Sequence, residues 1–289
     1  MKRYSLYIFV LLFLTFLSGC FSGVELYDET EPVLLELITP TDVLPETIEF
    51  TATDSTEPTE PTAELEVDDS LSVESGLHQL RFIDDKTQEY MDYCLNVPDF
   101  PERNMPLVVF LHGAVEVGHV ELLQDYGIVS KTKEIYGNDY PFLLLLPCTH
   151  LPGWTEESVS HTLAALIDSV CEEYEVDRQH IIITGHSWGA IGVWKMVSLY
   201  GDRFSAAVPV SCGIDEEIDY RQCAKVSIRA FCGTIGEDEK NFGPAMEKIV
   251  QKINDAGGNA SFVAIDGADH EAMVTAAYTK ELFDWMLSQ

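Results

Sequence analysis

The chain has 289 residues, a formal net charge of −32 and seven cysteines. Residues 76–289 carry −18 of this charge. A surface this acidic repels nucleic acid and anionic lipid, so neither is expected to bind the folded part of the protein. The sequence has no C-x-x-C or H-E-x-x-H pattern, so we predict no metal site and no other cofactor.

The N-terminus has the pattern of a secreted precursor. Lys2 and Arg3 make it positive, and Tyr7 to Leu17 is almost wholly apolar but shorter than a membrane-spanning helix. The stretch ends in Leu17-Ser18-Gly19-Cys20, which resembles the bacterial lipobox. The resemblance implies a signal peptide over residues 1–19, a lipid on Cys20, and an extracytoplasmic protein anchored at the cell-surface membrane. An ordinary signal peptide with an incidental cysteine is the alternative.

Residues 20–75 have the composition of a disordered tether. Sixteen Asp and Glu and no Lys or Arg lie between residues 21 and 75, together with many threonines and five prolines. A segment with charge of one sign and few large apolar residues cannot bury enough surface to offset its chain entropy. The remaining residues, 76–289, suit one catalytic domain.

The hydrophobic pattern of this domain predicts alternating strands and helices. The second strand roughly alternates in polarity, so the first two favour an antiparallel pair. Later strands such as Leu107–Leu111 are continuous apolar runs, typical of strands covered on both faces. The predicted strands are Leu80–Ile83, Tyr90–Pro98, Leu107–Leu111, Phe142–Pro147, Ile181–Ile183, Ala206–Val210, Ile228–Cys232 and Ser261–Ile265. Helices are predicted from the apolar spacing of Val159 to Tyr174 and of Met246 to Ile253, from Ala190 onward, and up to Trp285. The order predicts an α/β fold with a mostly parallel sheet.

The run Gly185-His186-Ser187-Trp188-Gly189 fits a nucleophile elbow. It is a G-x-S-x-G pattern with a β-branched strand before it and a helix after it. We expect a Cβ at Gly185 or Gly189 to collide with the neighbouring strand or helix, and His186 to point away from Ser187. The alternative is a glycine-rich connection with an idle serine.

From Val176 through the elbow to Ser211, the sequence resembles α/β-hydrolases of the carboxylesterase/feruloyl-esterase and polyhydroxybutyrate-depolymerase-like group. The resemblance extends from about Leu80 to the C-terminus. It implies the α/β-hydrolase fold, with a mostly parallel, doubly wound sheet, and serine hydrolysis of esters. Because the predicted strands ending at Val210 and starting at Ile228 are close in sequence, we expect no cap domain and an open site.

A serine hydrolase needs a base and an acid behind its nucleophile. In this fold they follow the serine in the order acid, then histidine. His270 is the only one of eight histidines C-terminal to Ser187 and is the predicted base. The acid should follow the strand that ends at Cys232; we favour Asp238 over its neighbour Glu239. Solvated loop acids are the alternative reading of both.

The run His112 to Gly118 resembles the H-G-A-G-x-x-G oxyanion loop, with Val115 in place of a glycine. The expected oxyanion donors are the backbone N–H groups of Ala114 and Trp188, with that of Val115 as a further candidate and His112 bracing the loop. Trp154 is expected either to wall the acyl pocket and contact substrate or to be a plain core or rim aromatic.

Six cysteines follow Cys20 and could form disulfides outside the cytoplasm. Cys212 and Cys223 flank a short loop and are the predicted pair. Free buried thiols are the alternative for most of the six.

Together these features predict a surface-anchored serine esterase that acts through an acyl-enzyme. The expected partner is an ester substrate, with acetyl or feruloyl groups on polysaccharide as the suggested class. The alternatives are a prolyl-oligopeptidase-like serine peptidase and a non-catalytic binding lipoprotein on a hydrolase scaffold.

Overall fold

The computed structural model describes residues 73–150, 153–214 and 217–289. The predicted signal peptide, the lipidation site Cys20 and residues 20–72 of the predicted tether lie outside the described residues. Within them, the first strand starts at Gly76. None of the helices in the described ranges is long and apolar enough to cross a membrane.

An eight-stranded sheet forms the centre of the described domain. Its strands lie in the order β1-β2-β4-β3-β5-β6-β7-β8. Their bounds are β1 Gly76–Ile83, β2 Tyr90–Val97, β3 Leu107–Leu111, β4 Leu143–Cys148, β5 Ile181–His186, β6 Ala206–Val210, β7 Ser227–Gly233 and β8 Asn259–Ile265. β2 pairs antiparallel with β1 and β4, and all pairs from β4 to β8 are parallel. The predicted antiparallel opening and parallel remainder are therefore confirmed.

Helices cover both faces of the sheet. Their bounds are α1 Gly127–Tyr136, α2 Glu157–Glu173, α3 Trp188–Tyr200, α4 Tyr220–Cys223, α5 Gly243–Asp255, α6 Met273–Ala276 and α7 Lys280–Leu287. One core cluster joins the sheet to α2, α3 and α5, and the other joins it to α1, α6 and α7. In β3, Leu107 and Val109 face the first cluster and Val108 and Phe110 the second, which explains why the strand is apolar throughout.

The parallel strands bring their carboxyl ends, and the loops that follow them, to one edge of the sheet. Ligand sites of open α/β sheets lie at this edge. The connection from β6 to β7 contains the short helix α4 and no inserted domain among its described residues. The edge therefore carries no cap at that position, as the sequence predicts.

The predicted disulfide between Cys212 and Cys223 is wrong. Cys223 is a free thiol that is fully buried in the core cluster with α2, α3 and α5. Burial raises the pKa of this thiol to about 12. The carbonyl of Cys212 instead accepts a hydrogen bond from Trp194 Nε1 (3.0 Å). Proximity in sequence therefore does not bring the two sulfur atoms together.

Candidate active site

Ser187 lies at a strained turn between β5 and α3. Its backbone has φ 57° and ψ −119°, a conformation that side-chain-bearing residues rarely adopt. The flanking glycines are required by space: a Cβ on Gly189 would lie 1.9 Å from the carbonyl oxygen of Leu111, and one on Gly185 would lie 2.6 Å from the backbone of Gly189. The geometry is that of the predicted elbow.

Ser187, His270 and Asp238 form a continuous hydrogen-bonded chain. His270 Nε2 lies 2.9 Å from Ser187 Oγ, and His270 Nδ1 lies 2.8 Å from Asp238 Oδ1. Because an ionised carboxylate can only accept, Nδ1 carries the proton, and the unprotonated Nε2 of the neutral ring accepts the serine O–H. The serine proton can thus pass directly to a ring that is already oriented to receive it.

Asp238 is held by two further donors. It is fully buried, and its Oδ2 accepts hydrogen bonds from Ser211 Oγ (2.5 Å) and the backbone N–H of Gly233 (2.8 Å). Burial by itself would raise the pKa of Asp238, but the hydrogen bonds from His270, Ser211 and Gly233 lower it overall. The carboxylate therefore stays charged beside His270.

The structure separates the two candidate acids. Asp238 is hydrogen-bonded to His270, whereas Glu239, the next residue of the same turn, is exposed. The turn is a π-helix over Asp238–Phe242, a local widening that is frequent at functional sites.

The loop after β3 passes beside the nucleophile. A Cβ built on Gly113 would lie 3.7 Å from Ser187 Cβ. Among the described residues, the N–H groups of Ala114 and Trp188 have no hydrogen-bond acceptor, so both are available to a bound anion. Val115 does not have a positive φ, so the backbone here does not require the glycine that it replaces.

His112 braces this loop, as the sequence predicts. Its Nε2 accepts from the backbone N–H of Thr149 (3.1 Å), so Nδ1 carries the proton and donates to the carbonyl of Gly113 (2.6 Å). Burial lowers the pKa of His112 to about 4, which keeps the ring neutral in this arrangement.

Trp154 belongs to the core. Its side chain is 4% exposed, and its Nε1 donates to the carbonyl of His112 (3.0 Å). Of the two expected roles, the buried position favours a core aromatic that supports the loop over a wall that contacts substrate.

Nonpolar side chains lie on the segments around the chain of hydrogen bonds. The ring of Phe242 lies 5.2 Å from that of His270. Val115, on the loop beside Ser187, is 63% exposed, and Ile235, three residues before Asp238, is 49% exposed.

Sequence reasoning missed Ser211, His186 and Phe242 as parts of the site. Ser211 directly follows β6, and a polar residue at the carboxyl end of a central strand was the available signal. His186 faces His270, with ring centroids 4.8 Å apart, rather than only packing locally. Nothing in the sequence pattern indicates that the π-helix turns Phe242 toward His270.

The side chains and N–H groups of the site themselves supply what acyl transfer requires. In the described ranges, no three His, Cys, Asp or Glu residues are grouped closely enough to hold a metal ion. The arrangement offers a hydroxyl nucleophile, a general base and unpaired N–H groups for developing negative charge.

Several solved structures share this architecture. A thermostable esterase aligns with a TM-score of 0.60 and 24% identity over 74% of this chain, and the chain spans 63% of that esterase. A ferulic acid esterase aligns at 0.56 and 16% identity, covering 75% of this chain and 99% of that one. Acetyl xylan esterase from Aspergillus awamori aligns at 0.55 and 14% identity, covering 73% and 99%.

No protein-family model and no curated protein sequence matches the chain. At these sequence identities, the structural likeness establishes the fold but not the reaction, which depends on the residues of the site. The chain has the α/β-hydrolase fold.

Proposed function

We propose that the protein is a serine carboxylic-ester hydrolase that works through an acyl-enzyme. The observation that carries the proposal is the unbroken chain from Ser187 Oγ through His270 to the buried Asp238. Binding alone does not require a strained serine aligned with a neutral imidazole and a buried carboxylate, whereas nucleophilic catalysis does. The esterases among the similar structures support the same reaction class.

In the proposed reaction, His270 Nε2 takes the proton of Ser187 as Oγ attacks the ester carbonyl. The N–H groups of Ala114 and Trp188 stabilise the oxyanion, and Asp238 compensates the positive charge that forms on His270. The tetrahedral intermediate collapses, His270 protonates the leaving alcohol, and the acyl group remains on Ser187. Water, deprotonated by His270, then releases the acid and restores the serine.

We propose esters attached to polymers, such as acetyl or feruloyl groups on polysaccharide, as the substrate class. Two observations support this: no inserted domain covers the site between β6 and β7 in the described residues, and exposed nonpolar side chains lie beside it. The expected lipid anchor at Cys20 and the acidic tether would hold such an enzyme at the cell surface.

A fluorophosphonate probe tests the reaction class. The full-length protein should be labelled covalently at Ser187; Ser187→Ala should abolish labelling and His270→Ala should strongly reduce it. Absence of labelling on folded wild-type protein would contradict the proposed reaction and favour a binding scaffold.

A substrate panel tests the class of bond and the substrate. Short aryl esters, acetylated and feruloylated xylan, and matched peptides should be compared at equal enzyme concentration. We expect hydrolysis of soluble and polymer-linked esters and negligible peptide cleavage. Rapid hydrolysis of short esters with no release from xylan would rule out the polymer substrate, and faster peptide cleavage would favour the peptidase.

The anchor is tested separately by expressing Cys20→Ala beside the wild type. The wild type should partition into the detergent phase and the variant into the aqueous phase. Partitioning of both proteins into the aqueous phase would show that Cys20 carries no lipid.

A further inference from the structure

The side chain of His186 contacts the backbone of His270. His186 is the last residue of β5 and is 4% exposed. Its Nε2 lies 2.9 Å from the carbonyl oxygen of His270, and the two rings are 4.8 Å apart with a 40° angle between their planes. Because a carbonyl oxygen can only accept, His186 Nε2 carries the proton of this hydrogen bond.

This hydrogen bond matters because His270 lies on a loop. The loop joins β8 to α6, and its preceding residues are tied to the loop after β7, where the N–H groups of Thr234 and Ile235 donate to the carbonyl of Ala268 (3.0 and 3.1 Å). In the described residues, His186 is the donor found for the carbonyl of His270 itself. The contact thus ties the backbone of the proposed base to the last residue of β5, directly before Ser187.

We propose that His186 is a positioning residue that fixes His270 over Ser187 by donating Nε2–H to the carbonyl of His270. The inference rests on the proposed function, since it assigns His186 a role through the base. A base on a loop must hold its reactive nitrogen within hydrogen-bond reach of the serine, and a displacement of about 1 Å can cost on the order of 10²-fold in rate. Both ends of the base would then be fixed: its Nδ1 by Asp238 and its main chain by His186.

The surroundings of His186 suit this role. Burial, followed by the charge of His270, lowers the pKa of His186 to about 4. His186 therefore stays neutral when His270 takes the serine proton and becomes an imidazolium ion. A charged ring at this distance would oppose that step, whereas a neutral donor does not.

Two amide substitutions of His186 distinguish a role in positioning His270 from a role in filling space. In His186→Gln the amide nitrogen reaches about the position of Nε2, whereas in His186→Asn it reaches about the position of Nδ1. We expect His186→Asn and His186→Leu to lower kcat on a neutral aryl ester about 10²-fold, with KM changed less than about threefold. His186→Gln should stay within about tenfold of the wild type. His161→Leu, an exposed histidine outside the site, controls for loss of a histidine.

The NMR signal of the proton on His270 Nδ1 reports the position of the ring and does not change when a variant is merely less stable. In the folded variants, its downfield NMR signal should persist in His186→Gln and weaken or exchange faster in His186→Asn. Equal kcat and equal signals for the two amide variants would overturn the inference, even if both melt at lower temperature. If His186→Leu does not fold, the amide pair still decides.

The failure of the inference and of the proposed function can be told apart in the same experiment. If the fluorophosphonate labels the wild type and does not label Ser187→Ala, the proposed function stands, whatever the result for the His186 variants. Equal labelling rates in wild type and folded His186→Asn would remove only the positioning role.

Discussion

The acid of the proposed triad depends on a difference between two neighbouring residues. Asp238 is fully buried and hydrogen-bonded to His270, whereas Glu239 is exposed. Both are carboxylates in the same loop, so their chemistry does not distinguish them. Only the direction of the two side chains does.

We expect Asp238→Asn to lower kcat by about 10³- to 10⁴-fold, because an amide at this position favours the wrong tautomer of His270. The reference for that magnitude is the same substitution in a serine protease triad. Glu239→Gln is the matched control and should leave kcat unchanged. Steady-state hydrolysis of a neutral aryl ester measures both, and equal losses in the two variants would contradict the assignment.

Ser211 supports the proposed acid at the carboxylate oxygen that is not bound to His270. It is fully buried, has φ 59°, and donates to Asp238 Oδ2. We expect Ser211→Ala to lower the free energy of unfolding by about 2 kcal/mol, since it removes a buried hydrogen bond to a charged group. Urea unfolding measures this. Ser205→Ala, at a hydroxyl with no hydrogen-bond partner among the described residues, is the control; equal stability of the two variants would show that the Ser211 contact contributes nothing.

At the level of elements, the elbow depends on close contact between α3 and β3. The Cβ that an alanine would add at Gly189 falls 1.9 Å from a main-chain oxygen of Leu111, so neither partner can move without shifting the sheet or the helix. At Gly257, by contrast, the added Cβ meets nothing within 4 Å, and the cost comes only from its φ of 92°.

These two glycines give a matched prediction. We expect Gly189→Ala to destabilise the protein by more than about 3 kcal/mol through overpacking against backbone. Gly257→Ala should cost about 1–2 kcal/mol for the left-handed conformation alone. Thermal and urea unfolding compare them, and a Gly189 variant as stable as the Gly257 variant would mean that the elbow can open without cost.

The π-helix after β7 explains a second feature at this scale. The sequence places the acid after the strand that ends at Cys232, and the structure forms part of the following loop into the turn Asp238–Phe242. The turn directs Asp238 inward and places Phe242 against His270. Hydrophobic periodicity does not predict such a turn, because its hydrogen bonds are satisfied locally and its orientation is set by the neighbouring loops.

For the whole molecule, two buried histidines make stability depend on pH in the acid range. The pKa values of His112 and His186 are each lowered to about 4 by burial, from an ordinary value of 6.5. Between pH 6.5 and 4 the unfolded chain therefore binds more protons than the folded one, and the free energy of unfolding falls as the pH is lowered. Asp238 has a lowered pKa, so its contribution is present above pH 3.8 and is lost only below that value.

We expect each histidine to contribute up to about 3 kcal/mol to the loss of stability between pH 6.5 and pH 4. Urea unfolding at intervals of pH measures the slope. His186→Gln cannot titrate, so its loss over this range should be smaller than that of the wild type by about this amount. Parallel curves for the two proteins would mean that His186 takes up a proton in the folded state as readily as in the unfolded one.

The sequence by itself determined the class of fold and named most of the groups of the proposed triad. Apolar strands such as Leu107–Leu111 must be covered on both faces, which requires helices in two layers and a parallel sheet. The strand–turn–helix around Ser187 and the position of His270 after the last strand follow from local pattern and chain order, so both could be predicted without coordinates.

The tertiary structure alone decided which groups meet. Asp238 rather than Glu239, the support from Ser211, the contact of His186 with His270 and the burial of Trp154 all depend on residues that are distant in sequence. The same holds for Cys223, which packs as a free thiol although Cys212 is close in sequence. The physical reason is that the direction of a loop side chain is set by the elements packed around it, and local pattern carries no information about those contacts.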